Sequence, residues 1–396
     1  MRPIRTTAAI FSTLLAVVPF CSAQPAPSTG SAPFVFDGNR IYAELQFIRP
    51  DGTTHRALAF VDMGSPSMVV TSGLFKELGG DKGIALSFRV GALPVTLPAK
   101  EVTSDPSEPY SVGTELKVEA VLPAGVMQKY VVVLDYAHRT LILARPGTVK
   151  PEGIAVPFRV NPQTGLIAVD VSIDGRSYPV TIDNGSAYTW FRQDTAKLWL
   201  KTHPDWERGI GAVGPANMMM SGESTEAAGV LLRIPQIAIG QLLLNEVASL
   251  AAGKGRGPGP NQDLFDWYST KNAVPVIGWI GGNVLKSFRI SIDYANKKMY
   301  WQRSAPDSYQ LNQVGLVLKF EAGKYTVAAI ATKNGKPTLE AVQIDDKLIG
   351  VDNLELKNAT WGQIYDAMHG NPGEIKMLEI ERAGNLITVR APVTAF

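Results

Sequence analysis

The chain has 396 residues, a length typical of two or three domains. Its formal net charge is only +2 and charged residues make up 19%, so the composition gives no sign of nucleic-acid binding or of attraction to an anionic membrane. Hydrophobic residues make up 45%, enough to build a core, and the 37 glycines and 27 prolines favour a β-rich protein with many turns over a helical bundle.

The first 23 residues have the pattern of a secretory signal peptide. Arg2 and Arg5 precede a short apolar run, and small residues follow it up to Ala23. Two alternatives are a membrane anchor, for which the run is too short, and a lipid on Cys21, which the bulky Phe20 disfavours. We therefore expect cleavage near Ala23 and export to the periplasm or the extracellular space. The mature chain would have no transmembrane segment and no cysteine.

Residues 24–33 are rich in proline, serine and alanine, and we expect them to form a disordered linker. From Phe34 onward apolar and polar residues alternate. The alternation predicts a β-hairpin around Asp51–Gly52 and a second one around Asp174–Gly175. Each predicted hairpin leads directly into an Asp-x-Gly-Ser sequence.

The two Asp-x-Gly-Ser sequences belong to a longer internal repeat. Aligning Asp135-Tyr136-Ala137 with Asp293-Tyr294-Ala295 brings Val126 onto Val284 without a gap. Each half thus runs in the same order: hairpin, acidic turn, variable stretch, apolar turn and a pair of strands. Two long copies predict two lobes, residues 34–150 and 151–305, and not a solenoid of many short repeats.

A different pattern begins after the repeat, in residues 306–396. Two strands are expected around Gly323, followed by a helix that Thr360 can cap and Gly370 can end. The segment 374–393 then has the alternation of a closing hairpin. We expect a compact α+β module.

The repeated acidic turns suggest a catalytic pair. A carboxylate is costly to bury while it is charged, so one such Asp is usually a capped turn residue. Two in matched positions of a repeat can be brought together by symmetry, and two adjacent carboxyls then share a proton. One acts as a base on a water molecule that attacks an amide carbonyl, and the other acts as an acid.

These turns carry a resemblance to a known family. Asp62-Met63-Gly64-Ser65 and Asp183-Asn184-Gly185-Ser186 resemble the Asp-Thr/Ser-Gly-Ser/Thr/Ala turns of aspartic proteases. The segment 279–301 resembles the later hydrophobic-Gly segment and strands of the retropepsin-like bacterial form. For residues 34–303 the resemblance implies a mainly β, two-lobed acid-protease-like β-barrel fold with the active site between the lobes.

The resemblance also implies roles for single residues. Asp62 and Asp183 would be the catalytic pair, Gly64 and Gly185 would shape the turns, and Ser65 and Ser186 would orient the carboxyls. Three departures from the family pattern bear on activity. Met63 and Asn184 stand where the family has Thr or Ser, whose hydroxyls lock the turns together; Met cannot make that bond, but Asn can. In the first half Leu122-Pro123 replaces the hydrophobic-Gly pair that the second half keeps in Ile280-Gly281.

The C-terminal module resembles a PDZ domain in its Asp346–Ile349 segment, the following turn, the helix and the final hairpin. The resemblance implies that it binds an extended peptide by strand addition and grips the peptide's C-terminal carboxylate. The carboxylate loop would fall at Val314, Gly315 and Leu316. The alternative is a structural domain that packs against the lobes.

Together these patterns predict an exported aspartic-type endopeptidase that acts on peptide or protein substrates without a cofactor. The alternative is a catalytically inactive, protease-like scaffold that binds peptides or envelope proteins. A metal site has little support because the four histidines are scattered and cleavage would remove the only cysteine. The aromatic cluster of Phe265, Trp267 and Tyr268 can either line a substrate groove or pack in the core.

Overall fold

The computed structural model describes residues 27–105, 116–211, 226–252 and 263–396. Within these ranges the chain is mainly β, as predicted, and its strands form four sheets. The predicted signal peptide, residues 1–23, lies outside the described residues. Among the residues described, no helix is long and apolar enough to cross a membrane.

The first half of the chain supplies most of a 13-stranded sheet. Its strands are β1 (Thr29–Asp37), β2 (Arg40–Ile48), β3 (Thr54–Asp62), β4 (Met68–Thr71), β5 (Leu86–Val90), β6 (Leu93–Leu97), β7 (Val102–Asp105), β8 (Val118–Pro123), β9 (Val131–Asp135) and β10 (Thr140–Ala144). Its helices are α1 (Ser72–Glu77) and α2 (Ala124–Met127), with 3₁₀ turns at Gly80–Lys82 and Ala99–Glu101.

The second half supplies most of a ten-stranded sheet. The strands of this half are β11 (Ile154–Pro157), β12 (Arg159–Val160), β13 (Ile167–Ile173), β14 (Arg176–Ile182), β15 (Thr189–Arg192), β16 (Arg208–Ile210), β17 (Val230–Ile239), β18 (Leu242–Ala252), β19 (Gly278–Ile280), β20 (Phe288–Asp293) and β21 (Lys298–Arg303). Of these, β11, β20 and β21 belong to the 13-stranded sheet. Its helices are α3 (Gln193–Thr202), α4 (Leu264–Lys271) and α5 (Gly282–Leu285).

Part of the segment expected to be a disordered linker contributes to the 13-stranded sheet instead, and its residues 24–26 lie outside the described residues. Residues 29–33 begin strand β1 and pair with residues 140–144 of β10. Proline, serine and alanine content predicted disorder, but the backbone hydrogen bonds of an existing strand override that composition. Ala32 is also buried, which adds an apolar contact to the pairing.

Both predicted hairpins are confirmed. Strand β2 pairs with β3, and β13 pairs with β14, in antiparallel registers that close at the predicted turns. Asp174 and Gly175 both have positive φ angles, 52° and 71°, as a two-residue turn with the right twist requires. The last residue of β3 is Asp62, and Asp183 directly follows β14.

The two halves repeat one local arrangement around these aspartates. Strand β3 runs parallel to β8, and β14 runs parallel to β19. Each partner strand then enters a one-turn helix, α2 or α5. The backbone N–H of Ala124 donates to Ser65 O at 2.9 Å, and that of Gly282 donates to Ser186 O at 2.7 Å. Pro123 in the first half is therefore tolerated, because the bond that ties the helix to the turn comes from the next residue.

The halves are joined by the antiparallel pairing of β9 with β20. Val133 lies opposite Ser291, and these are equivalent positions in the repeat. On either side of this pair, Asp135 lies opposite Arg289 and Asp293 lies opposite Val131. Equivalent residues thus exchange partners around one point, as a local two-fold axis requires. Arg289 Nε also donates to Asp135 Oδ2 at 3.1 Å across this junction.

The C-terminal module is built on a six-stranded sheet. The strands of the module are β22 (Asn312–Gln313), β23 (Leu316–Glu321), β24 (Lys324–Ile330), β25 (Thr332–Lys333), β26 (Lys336–Pro337), β27 (Lys347–Val351), β28 (Leu354–Glu355), β29 (Ile375–Arg382), β30 (Asn385–Pro392) and β31 (Thr394–Ala395). Its helix is α6 (Trp361–Ala367), and a 3₁₀ turn lies at Leu356–Asn358. The six-stranded sheet consists of β23, β24 and β27 to β30. Thr360 caps α6 in a reciprocal capping box with Gln363, as the sequence predicted. The strands around Gly323 and the closing hairpin are also confirmed.

The module packs against both halves. Strand β25 extends the ten-stranded sheet by pairing with β16. At the chain terminus, Arg233 Nη2 donates to the carbonyl of Phe396 at 2.9 Å, and the Phe396 side chain is buried. On the side of the first half, Asp37 accepts hydrogen bonds from Thr360 Oγ1 and from Gly362 N at the start of α6.

Candidate active site

Asp62 and Asp183 are both buried where an apolar strand ends. Only 1% of Asp62 and 3% of Asp183 is exposed. In a water-poor environment a carboxylate needs hydrogen-bond donors or a shared proton. Strands β3 and β14 therefore place their carboxyls in a site where each needs nearby hydrogen-bond donors or a proton shared with the other carboxyl.

The two carboxyls lie in contact with each other and with the opposite turn. A Cβ placed on Gly64 would lie 2.5 Å from the carboxyl carbon of Asp183, and one on Gly185 would lie 2.4 Å from Asp62 Oδ1. No side chain fits at that distance, so both positions require glycine. The structure thus brings together the two aspartates and the two glycines that the sequence singled out.

The donors around the pair are unequal. Asp183 Oδ1 accepts from the backbone N–H of Gly185 at 2.9 Å and of Ser186 at 3.2 Å. Asp62 Oδ1 accepts from Gly64 N at 2.8 Å, and the backbone N–H of Ser65 contributes a further, weaker lowering of the Asp62 pKa. Among the described residues, Asp62 Oδ2 has no N–H or O–H donor, so a proton shared with Asp183 is the bond that remains for it.

The electrostatics follow from this burial. Burial raises the pKa of Asp62 well above its usual value of 3.8, and the neighbouring Asp183 raises it further. Burial also raises the pKa of Asp183, while its hydrogen-bond donors act in the opposite direction. The pair therefore holds a proton at pH values where an exposed Asp is ionised, with Asp62 as the favoured carrier.

Asn184 locks the two turns together from one side. Its Nδ2 donates to Val61 O at 2.7 Å, and its Oδ1 accepts from Met63 N at 2.8 Å. Asn184 is fully buried. The side chain of Met63 makes no such bond and packs in the hydrophobic core instead. The amide of Asn184 thus compensates for the hydroxyls that the resemblance led us to expect at both positions.

The resemblance implied that Ser65 and Ser186 orient the carboxyls, and their hydroxyls donate within their own turns. Ser65 Oγ donates to Ser67 O at 3.1 Å, and Ser186 Oγ donates to Tyr188 O at 2.8 Å. These bonds brace each turn internally. The backbone N–H of Ser186 reaches the Asp183 carboxyl.

Two further residues contact the site: Arg40, which was not identified from the sequence, and Tyr268, which was identified only as a member of an aromatic cluster. Arg40, at the start of β2, is buried, and its Nε donates to Gly185 O at 3.0 Å. This bond ties the first half to the turn that carries Asp183. Tyr268, on helix α4, donates from its hydroxyl to Asp183 Oδ2 at 3.0 Å.

The aromatic cluster that contains Tyr268 is buried and rigidly packed. The Tyr268 and Trp279 rings lie 5.2 Å apart, and Phe265 and Trp190 pack on the same indole at 5.0 and 5.2 Å. Trp267 contacts the edge of Tyr268 at 5.0 Å. The sequence left open whether this cluster lines a groove or packs in the core; Phe265 packs in the core, whereas Tyr268 reaches the carboxyl pair.

A polar groove borders the first turn. It has a volume of about 230 Å³ and is lined by Pro66, Ser67, Met68, Gly125, Lys129 and Gln163 among others. The groove begins at the residue after Ser65. It therefore lies directly beside the turn that carries Asp62.

The predicted carboxylate loop of the C-terminal module does not face solvent. Val314, Gly315 and Leu316 are buried. Ala331 N donates to Gly315 O at 2.8 Å, and Thr338 Oγ1 donates to Val314 O at 3.1 Å. The position of these residues gives no support to a ligand contact there, because the module's own strands cover them.

The described residues contain no group of three or more His, Cys, Asp or Glu side chains that could hold a metal ion.

Compared with protein-family profiles and with curated proteins, the sequence gives no match. Among solved structures, the chain is similar to the crystal structure of basic 7S globulin from soybean. The TM-score is 0.39 at 11% identity, over 70% of this chain and 95% of the globulin chain. A likeness at this level carries no argument about fold or function.

Proposed function

We propose that this protein is an exported aspartic-type endopeptidase with a two-lobed acid-protease-like fold. The observation that supports it is the contact between Asp62 and Asp183, each on the turn of one repeat and each close to the other's glycine. Two buried carboxyls that share one proton offer an acid and a base at the same pH. The symmetric pairing of β9 with β20 supports the assignment of two lobes.

In the proposed reaction the ionised carboxyl takes a proton from a water molecule, which attacks the carbonyl carbon of the scissile peptide bond. The protonated carboxyl donates to the carbonyl oxygen as the tetrahedral intermediate forms. The C–N bond then breaks as the carboxyl that took the water's proton gives it to the nitrogen. The other carboxyl takes back a proton from a hydroxyl of the intermediate, so that a carboxylic acid and an amine leave and the pair again holds one proton. Atoms and charges balance without a metal or an organic cofactor.

Hydrolysis of a mixed peptide library between pH 3 and pH 8 tests the proposal. We expect cleavage by the parent protein and a loss of at least about 100-fold in Asp62→Asn and in Asp183→Asn. Asp170→Asn is the matched control, because Asp170 is exposed and pairs with Arg159 on the surface. Equal cleavage by the parent and both site variants would exclude an aspartic peptidase.

The second candidate is a catalytically inactive scaffold that binds peptides or envelope proteins. The hydrogen bond from Tyr268 to Asp183 favours it, because the hydroxyl lies where a reacting group would need access to that carboxyl. Under this alternative the parent protein binds library peptides without cleaving them, and binding persists in Asp62→Asn and Asp183→Asn.

For the C-terminal module, the PDZ-like peptide-binding role remains part of the proposal, with β23 as the docking edge. Strand β23 is an end strand of its sheet. Leu318 N donates to the Tyr365 hydroxyl of helix α6 at 3.3 Å, so an added strand would have to displace Tyr365. Tighter binding of a peptide with a free C-terminus than of the same peptide amidated would support this role; equal affinity would oppose it.

A further inference from the structure

We infer that Tyr268 is a positioning residue that fixes the shared proton on Asp62 and leaves Asp183 as the ionised base. The inference rests on the proposed function only for its catalytic consequence. Its physical basis is the number and geometry of donors around the two carboxyls.

The donors favour one ionised carboxyl. Asp183 accepts from Gly185 N and Ser186 N on one oxygen and from the Tyr268 hydroxyl on the other. Asp62 accepts from Gly64 N on one oxygen, and the backbone N–H of Ser65 also favours its ionised form, so the donor that distinguishes the two carboxyls is the Tyr268 hydroxyl. Hydrogen bonds to the charged form of an acid stabilise it, so the negative charge concentrates on Asp183 and the proton on Asp62. Apart from the proton that the two carboxyls share, the hydroxyl of Tyr268 is the only side-chain donor to either carboxyl among the described residues.

Helix α4 holds Tyr268 in this geometry. Asp263 caps the helix by accepting from Phe265 N at 2.8 Å, and Arg192 binds Asp266 at 2.8 Å. At the other end, Thr164 Oγ1 and Asn161 Nδ2 donate to Lys271 O at 2.7 and 3.0 Å. The hydroxyl is thereby aimed at Asp183 before any substrate binds.

Other charged groups lie near the pair. Arg40 donates from its Nε to the carbonyl of Gly185. On helix α4, Asp263 and Asp266 face Arg192, at 3.7 and 2.8 Å. Burial and Asp183 also raise the pKa of the Tyr268 hydroxyl well above its usual value, so Tyr268 remains a donor across the pH range in which the carboxyls titrate.

The test is a carboxyl titration, which does not require activity. The full chain is labelled with ¹³C at the aspartate carboxyls, and the resonances of the pair are assigned with Asp62→Asn and Asp183→Asn. In the parent we expect the lower step to belong to Asp183. In Tyr268→Phe we expect that step to move upward by about one to two pH units, because the variant loses one hydrogen bond to a charged acceptor. Tyr136→Phe is the matched control, since its buried hydroxyl has no partner among the described residues.

A second variant tests the inference even if Tyr268→Phe does not fold. 3-Fluorotyrosine at position 268 has nearly the same volume and a more acidic hydroxyl, so the lower step should move downward. An unchanged lower step in folded Tyr268→Phe, or a lower step that belongs to Asp62, would overturn the inference. If the parent is active, the acidic limb of its kcat/KM profile shifts with the titration. An inactive parent would remove the proposed function and leave the titration result standing.

Discussion

Met63 and Asn184 are joined across the two active turns by a hydrogen bond from Met63 N to Asn184 Oδ1, 2.8 Å long. The same amide side chain donates to Val61 O at 2.7 Å, so one residue of the second half binds the backbone on both sides of Asp62. Met63, the equivalent residue of the first half, does not return these bonds, because its side chain packs in the core. Arg40 of the first half binds the second turn at Gly185 O instead. Asn184 is therefore the residue that holds the backbone on both sides of Asp62 in place relative to the second turn.

Removing that lock should destabilise the protein and misplace the carboxyls. Asn184→Ala leaves Met63 N and Val61 O buried without partners, which we expect to lower the free energy of unfolding by about 3 kcal/mol. Urea denaturation measures this. Asn245→Ala is the control: Asn245 is exposed and accepts only from Gln236, so its loss should cost less than about 0.5 kcal/mol. Equal effects of the two substitutions would show that Asn184 does not brace the turns.

Adding one methyl group at either close glycine should separate the carboxyls. A Cβ at position 64 or 185 would overlap the opposite aspartate, so that carboxyl must move by about an ångström. We expect Gly64→Ala and Gly185→Ala to lose at least about 100-fold in peptide hydrolysis. Gly73→Ala in helix α1 meets nothing within 4 Å and should keep full activity. Wild-type rates in either site variant would argue that the carboxyls act separately.

The repeat explains why the carboxyl pair could be predicted from the sequence. The alternation of apolar residues and the Asp-Gly turns indicated the hairpins, and the order of elements indicated that Asp62 and Asp183 occupy equivalent positions. Two-fold pairing of β9 with β20 then brings the equivalent positions to one axis. The beginning of β1 could not be predicted in this way, because strand pairing with β10 depends on distant backbone and not on local composition.

Tyr268 and Arg40 lie outside the reach of motif reasoning for a different reason. Neither residue lies in the repeated turns, and no motif in the sequence assigns a catalytic role to either of them. A signal was present at Tyr268, since Phe265 and Tyr268 are three residues apart and therefore share one face of helix α4. That spacing indicates burial; it does not indicate that the hydroxyl reaches a carboxyl.

Stability should decrease as pH rises through the titration of the pair. The folded-state pKa of Asp62 is raised above the unfolded value of 3.8, so the folded state binds more protons between these two values. The contribution of Asp62 to the free energy of unfolding is therefore complete below pH 3.8. It is lost as the pH rises toward the raised pKa, by up to about 1.4 kcal/mol per pH unit for each proton. Asp62→Asn removes the titration.

Urea denaturation at a series of pH values from 4 to 8 checks this prediction. We expect the stability of Asp62→Asn relative to the parent to increase with pH across this range. Asp51→Asn is the control, because hydrogen bonds from Thr53 lower the pKa of Asp51 below 3.8 and its contribution is lost only at lower pH. The stability of this variant relative to the parent should therefore stay nearly constant from pH 4 to 8. Parallel stability curves for the parent and Asp62→Asn would mean that Asp62 is not protonated in the folded protein.

The attachment of the C-terminal module should depend on Asp37. Its carboxylate accepts from Thr360 Oγ1 and Gly362 N, two donors at the first turn of helix α6. Hydrogen bonds to a charged acceptor contribute about 1.5–3 kcal/mol, and a negative charge at a helix N-terminus is favourable. Asp37→Ala should therefore increase amide hydrogen exchange in α6 about tenfold or more, while the six-stranded sheet keeps its protection.

A second variant reaches the same contact from the other side. A Cβ on Gly362 would lie 2.2 Å from Gly38 N and 2.4 Å from Asp37 Oδ1, so Gly362→Ala should loosen α6 in the same way. Asp51→Ala is the control, since Asp51 is exposed and bonds only within its own turn to Thr53. Because Arg40 on the same hairpin donates to Gly185 O, loosening by either variant should also lower peptide hydrolysis. Unchanged exchange in α6 for both variants would show that the module is held by β25 and the chain terminus alone.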